Sequence, residues 1–345
     1  MTTVTKTGAL ANFQAATEVI FGAGAVAGMG ELAQRLDVPR LLLVTDEGVS
    51  RAGIVDRVMA ALGQAGTEAV VFDAVEPNPS IETVEEALAL YRDAACAGVV
   101  AVGGGSPIDA AKAVATLATN PGELAAYIGV GKIVQPLAPL MVVPTTVGTG
   151  SEVTTWAVIT DLAQRKKVVL GSPLLAPRIA VLDPELVLSL PATLVASTGI
   201  DALTHAVESV ISLFAGPFTD GLALEAIHLI AAYLPAAVEA PELEPRANLL
   251  YASAMAGMAF SYARTALVHG MAHPLSAYCD VPHGLANAIL LPDVLAFNLP
   301  ACEPQLARVA VAMGAEASAQ AAVDAVRKLN RRVGIPCRLS DVGVT

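Results

Sequence analysis

Along the first half of the chain, short apolar and β-branched runs alternate with longer stretches in which apolar positions recur at helical spacing. The runs are Arg40 to Thr45, Ala69 to Phe72, Gly98 to Val102, Leu140 to Val143 and Ile179 to Leu182. Runs this short, separated by helices, read as parallel strands buried on both faces. Two of them lead into turn clusters, Gly103 to Ser106 after the third run and Thr145 to Gly150 after the fourth. After Asp183 and Pro184 the strand pattern stops, and prolines from Pro191 to Pro300 punctuate Ala- and Leu-rich stretches of helical period. The pattern predicts an α/β domain with a parallel sheet over residues 1–185 and an all-α domain over residues 186–345. Ligands of open α/β sheets sit at the carboxyl ends of the strands, and small-molecule sites favour the cleft between domains, so the active site is expected there.

Composition narrows the function classes. The chain is 54% hydrophobic and only 15% charged, which raises the question of a membrane protein. No unbroken apolar run approaches the roughly 18 residues of a spanning helix, so no membrane association is expected. Met1 to Gln14 contains one lysine and no apolar stretch of signal-peptide length, which points to a cytoplasmic protein. Cys96, Cys279, Cys302 and Cys337 lie far apart without a C-x-x-C pair and read as reduced thiols with no assigned role. A net charge of -12 with no Lys/Arg cluster argues against a nucleic-acid partner. Any small anion must then be held by local dipoles.

Gly103-Gly104-Gly105-Ser106-Pro107-Ile108-Asp109-Ala110-Ala111-Lys112 offers such dipoles. Three glycines after a strand let main-chain amides approach an anion, and Ser106 as N-cap, Pro107 at the first helical position and Asp109 at N3 would announce the helix. A capped tight turn without a ligand fits the same residues. Pro144-Thr145-Thr146-Val147-Gly148-Thr149-Gly150-Ser151-Glu152 adds hydroxyl donors after another strand, consistent with a cradle for the rest of a dinucleotide. Gly22, Gly24 and Gly28 miss the dinucleotide spacing, precede the main sheet, and read as a turn with close packing. Asp46, at the end of its strand, is placed to accept a ribose hydroxyl and repel a 2'-phosphate, which favours NAD over NADP; an ordinary loop aspartate is the alternative.

Four of the five histidines fall in Asp201-x-x-x-His205, His269-x-x-x-His273 and His283, all in the helical half. Residues four apart share a helical face, so Asp201 with His205, and His269 with His273, can each point two donors at one ion, with coincidence on a helix face as the alternative. Imidazoles with a carboxylate suit Fe(II) or Zn(II) and leave room for a substrate oxygen. His228, alone on an amphipathic stretch, reads as structural.

With these residues in hand, the chain resembles the iron-containing (group III) alcohol dehydrogenases, near the lactaldehyde reductase and 1,3-propanediol dehydrogenase branch. The resemblance runs over almost the whole chain, through residues 103–112, 144–152, 198–205, 268–275 and 282–292. It implies a dehydroquinate synthase-like arrangement, with an α/β NAD-binding domain followed by a helical metal-binding domain. It further implies metal ligands Asp201, His205, His269 and His283, with His273 close to the nicotinamide and substrate. Implied NAD contacts are Asp46, Asn78, Gly104, Gly105, Asp109, Thr145, Thr149 and Lys167, the last through the ribose. The expected reaction is hydride transfer between NAD(H) and a small aldehyde or alcohol at a divalent ion, Fe(II) with Zn(II) as the alternative. Expected partners are that substrate and further copies of the chain, as a homodimer or larger homo-oligomer.

Two departures from the family pattern bear on the substrate. Family members continue for about another pair of helices beyond the point where this sequence stops, and that part helps wall the substrate pocket. Where the family carries F-S-N-x-G-L-G, this chain reads Phe260-Ser261-Tyr262-Ala263-Arg264-Thr265-Ala266. On a continuous helix Tyr262 and Thr265 share the face of His269 and would line the pocket, while Arg264 lies roughly 140° round. Arg264 then either pairs with a carboxylate at the surface or holds an anionic group on the substrate. A zinc polyol dehydrogenase and a non-catalytic nucleotide-binding remnant are the rival readings.

Overall fold

The computed structural model describes residues 12–344, so most of the Met1 to Gln14 segment read above lies outside the described residues. The strands are β1 (Glu18–Phe21), β2 (Arg40–Val44), β3 (Glu68–Phe72), β4 (Gly98–Gly103), β5 (Gly129–Val130), β6 (Leu140–Pro144), β7 (Trp156–Asp161), β8 (Lys166–Gly171) and β9 (Ile179–Leu182). Helices of the first part are α1 (Met29–Gln34), α2 (Glu47–Arg51), α3 (Ile54–Gln64), α4 (Ile81–Asp93) and α5 (Gly105–Thr119). The second part contains α6 (Ala192–Ile211), α7 (Pro217–Glu239), α8 (Leu243–Ala263), α9 (Leu267–Tyr278), α10 (His283–Ala312) and α11 (Ala319–Arg332). Two compact units result, one of residues 15–146 and 151–189, the other of residues 12–14, 147–150 and 190–344.

In the first unit a six-stranded sheet runs in the order β1-β9-β6-β4-β2-β3, and every pair in it is parallel. β4, β6 and β9 are buried at every position, which is why their sequences are continuous apolar runs rather than alternations. Leu41, Leu43, Val100, Val102, Met141, Val143, Ile179 and Val181 face one side, where Met29, Val58 and Leu62 of α1 and α3 close over them. Strand order reverses between β2 and β4, since β3 lies outward of β2 on one side while β4, β6 and β9 follow on the other. Such a switch point opens a crevice at the carboxyl ends of the two strands.

The five strands expected from the sequence are all present. β1 adds a sixth, so the Gly22 to Gly28 stretch follows a sheet strand rather than preceding the sheet. Gly22 and Gly24 take positive φ and form a turn, but a Cβ at Gly22, Gly24 or Gly28 would meet nothing within 4 Å, so close packing is not their reason. A separate sheet, β5-β8-β7, includes an antiparallel β7-β8 pair.

The second unit is helical throughout its regular structure. By length and average composition α7 and α10 could each cross a membrane, although Asp220 and Glu225 interrupt the first and Asp293, Glu303 and Arg308 the second. Here α7 packs against α6 and α8, and α10 against α11, α6 and α9, as core helices do.

Candidate active site

The parallel sheet sets three chain segments at one edge of the first unit. β2 ends before Asp46, β4 before Gly104 and β6 before Thr145, and parallel strands place those ends side by side. Thr145 N–H donates to the Gly103 carbonyl at 2.9 Å, and the Thr45 hydroxyl to the Val102 carbonyl at 2.7 Å, fixing the loops to one another.

Helix α5 starts two residues earlier than its capping residues suggest. Gly104, not Ser106, is the N-cap, and it offers no side-chain cap, so the first amides of a 15-residue helix stay available to an anion. Ser106 instead accepts the Asn78 N–H at 3.2 Å through its hydroxyl, tying the loop of Asn78 (φ 60) to the start of α5. Glycine is required where the chain enters the helix: Gly103 has φ +153, and a Cβ there would lie 2.5 Å from Pro107 Cγ.

Asp109 falls inside α5 beyond N3 and turns inward. It accepts the Ser151 hydroxyl at 3.0 Å and the Val158 N–H at 2.9 Å, and burial raises its pKa. Beside it Lys112 is fully buried, its Nζ donating to the Thr154 carbonyl and hydroxyl and to the Trp156 carbonyl at 2.8–2.9 Å. Burial pushes Lys112 down to about 8 and Glu152 up to about 7. Lys167 lies on β8 opposite Thr160 of β7. Asp46 is the N-cap of α2, where its Oδ1 accepts the Val49 N–H at 2.9 Å. The second glycine turn divides: Thr145 stays on the sheet edge, whereas Thr149 belongs with residues 147–150 to the helical unit. There a Cβ at Gly150 (φ +61) would fall 2.6 Å from Gly257 Cα.

In the helical unit α6 supplies Asp201 and His205, α9 supplies His269 and His273, and α10 begins with His283. Candidate ligand atoms of Asp201, His205 and His269 all lie within 4.8 Å of one another, and all three residues are buried. His283 adjoins this set, with Nε2 3.9 Å from Asp201 Oδ1. His273 stands further out, its ring centroid 6.1 Å from that of His269 and 5.3 Å from that of His283. His205 is stacked between Phe260 and His269, with centroids 4.2 Å and 4.5 Å away, and its Nδ1 lies 3.3 Å from the Gly148 carbonyl. Burial first, then the charges of His205 and His273, push His269 well below its ordinary pKa. The shift favours the uncharged imidazole, the form a metal requires.

Two residues of this cluster escape sequence reasoning. Asn287, buried on α10, places its Nδ2 2.6 Å from Asp201 Oδ1 and 3.2 Å from Nε2 of both His269 and His283. Three acceptors thus converge on one electropositive group, and its own Oδ1 is a buried atom without a hydrogen-bond partner. Acceptors so arranged fit a cation. Glu208 on α6, fully buried, accepts from His269 Nδ1 at 2.6 Å. Its position three residues after His205 was the only trace in the sequence.

The stretch from Tyr262 to Ala266 corrects the expectation of a continuous helix. α8 ends at Ala263, Arg264 takes φ 65, and α9 begins at Leu267. Tyr262 donates its hydroxyl to the Gln14 carbonyl at 2.6 Å and sets its ring against Phe13, with centroids 5.0 Å apart, so both its hydroxyl and its ring are already engaged. Arg264 is exposed and sits over the Phe214 ring, 4.6 Å from its centroid.

The chain is similar to known proteins over almost its whole length. A family described as iron-containing alcohol dehydrogenase matches residues 16–184, and the C-terminal part of the Fe-containing alcohol dehydrogenase family matches residues 195–345. 1,3-Propanediol dehydrogenase from Klebsiella pneumoniae is 43% identical over 334 residues, covering 94% of this chain and 86% of that protein. A crystal structure of 1,3-propanediol oxidoreductase superposes with TM-score 0.95 at 42% identity, covering 98% of this chain and 90% of the other. Sulfoacetaldehyde reductase from Bifidobacterium kashiwanohense, solved in complex with NAD+, superposes with TM-score 0.90 at 32% identity, covering 98% and 90%. Fold and ligand cluster together define an oxidoreductase of the alcohol dehydrogenase class. The chain belongs to the iron-containing alcohol dehydrogenase family.

Proposed function

We propose that the chain interconverts a small neutral aldehyde and its alcohol with NAD(H), using one divalent ion held by Asp201, His205, His269 and His283. The observation that carries this reading is the convergence of three buried donors within 4.8 Å. When bound, the ion and NADH would supply polarisation of the substrate oxygen and a hydride. The chain's residues prepare for both. Neutral His269 and the carboxylate of Asp201 provide one borderline and one hard donor, a set that takes Fe(II) and also Zn(II). Gly104 and Gly105 present the amides of α5 to the pyrophosphate, and Asn78 and Thr145 flank them. Asp109 contributes by fixing α5 against Ser151 and Val158.

Asp46 accepts a ribose hydroxyl through its oxygen not used in the cap, which favours NAD. Thr149 and Lys167 complete the cofactor contacts. His273, half-buried at the outer side of the cluster, exchanges the alcohol proton with solvent. The same reading carries the domain division at residue 185, a cytoplasmic location and a homodimer or larger homo-oligomer. The test is NADH consumption with propanal, lactaldehyde and other short aldehydes, alongside metal analysis of protein purified with and without air. Turnover that follows iron content is expected. No turnover with any divalent metal would overturn the reading, and highest activity with zinc would replace iron.

A further inference from the structure

Helix α9 begins without a cap of its own. Its N-cap is Ala266, which has no side-chain acceptor, and the preceding break carries Arg264 at φ 65. The amides at such a start need a partner when buried. Glu208 provides it from α6: Oε2 accepts the Ala266 N–H at 2.8 Å and Oε1 the Val268 N–H at 2.6 Å. The same Oε2 accepts from His269 Nδ1 at 2.6 Å. One fully buried carboxylate therefore holds both the start of α9 and the imidazole one residue further on.

We infer that Glu208 is a positioning residue for the metal ligand His269, selecting its Nδ1–H tautomer and aiming Nε2 at Asp201 and Asn287. Both oxygens of Glu208 already accept main-chain N–H groups, an arrangement that holds it as an acceptor, so the ring nitrogen facing Oε2 carries the proton. The other nitrogen then keeps its lone pair, and it lies 3.2 Å from Asn287 Nδ2, a donor. Both neighbours thus impose one tautomer, and neither alone would fix the ring plane. Partners of this kind orient a metal-binding imidazole and raise its basicity. Glu208 is also bound to the main chain at two points, so the aim of Nε2 is set by the backbone of α9 and not by a free side chain. The inference rests on the metal reading above.

A plain helix cap would leave the tautomer and the metal affinity alone, which gives the test. In the full-length, metal-free protein labelled with 15N-histidine, the His269 ring is expected to show a protonated Nδ1 and an unprotonated Nε2. Co(II) affinity, measured by competition with a chelator, is expected to fall about 10- to 100-fold in Glu208→Gln, because the amide presents a donor to one of the three N–H groups. NADH fluorescence titration should be unchanged in the same variant. Glu208→Asp, which keeps the charge, should recover part of the Co(II) affinity and serves where the glutamine variant does not fold. An Nε2–H tautomer of His269 in the parent, or undiminished Co(II) affinity in a folded variant, would overturn the inference. A parent protein that shows the expected tautomer yet binds no divalent ion would instead defeat the metal reading and leave Glu208 as a cap.

Discussion

The two units build their sites from different atoms. At the sheet edge the proposed pyrophosphate contacts are main-chain amides, exposed by Gly104 and Gly105 and aimed by the start of α5. In the helical unit the donors are side chains from α6, α9 and α10, held by other side chains such as Asn287 and Glu208. A backbone site is sensitive to any added Cβ but indifferent to many side-chain losses. The side-chain site should behave in the opposite way, since removing one donor would remove a bond to the proposed ion.

The sharpest way to break this contrast is His269→Ala. It should abolish turnover and equilibrium metal content while NADH fluorescence titration stays near the parent, because the α5 amides belong to the other unit. Retained metal with full activity would defeat the ligand assignment. In the other unit Gly103→Ala places a methyl 2.5 Å from Pro107 Cγ at a φ of +153. A loss of about 1–3 kcal/mol in urea unfolding is expected, with weaker NADH binding and unchanged Co(II) affinity. Weaker Co(II) binding with NADH untouched would reverse the comparison.

The buried charges of the α/β unit give it a pH dependence of its own. Burial raises Glu152 from 4.5 to about 7, so the folded state holds its proton more tightly than the unfolded chain. That contribution to stability is full below the unfolded value and is lost as pH rises through about 7. Glu152→Gln should therefore flatten the stability profile between those two values, by up to about 3 kcal/mol. An unaltered slope in urea melts would show that Glu152 titrates normally.

A smaller effect is expected at Asp46. Because its side chain also caps α2, Asp46→Asn is the informative change, keeping an acceptor for Val49 while removing the charge. The preference for NADH over NADPH in kcat/KM should shrink by about tenfold. Equal use of both cofactors by the parent would show that the carboxylate faces elsewhere. Smallest of all is Arg264→Ala: an exposed guanidinium over Phe214 contributes about 0.5–1 kcal/mol to stability. The ratio of kcat/KM for succinic semialdehyde to that for propanal should not move, and a fall in that ratio would restore Arg264 as an anion-binding group.

How much of this was legible in the sequence depended on whether the cause was local. Buried parallel strands announce themselves because both faces need apolar side chains, and residues four apart on a helix place two donors together whatever the fold. The β7-β8 hairpin was missed because its turn carries Arg165 at φ 48 in place of a glycine. The break between α8 and α9 passed unnoticed for the same reason, since Ala263-Arg264-Thr265-Ala266 contains no glycine or proline. Ser106 has the chemistry of an N-cap, yet the chain turned into helix as soon as the glycines allowed. Glu208 lies three residues after His205 and Asn287 four after His283, spacings that share a helical face, but their roles toward His269 and Asp201 come from residues 61 and 86 positions away.

The amide of Asn287 has a kinetic consequence. Its Nδ2 carries two hydrogens and stands among three acceptors, Asp201 Oδ1 and the Nε2 atoms of His269 and His283, whose lone pairs are the ones the proposed ion would use. Under the proposed function an ion that takes those lone pairs displaces the amide, so the rate of loading would depend on rotation of the Asn287 side chain.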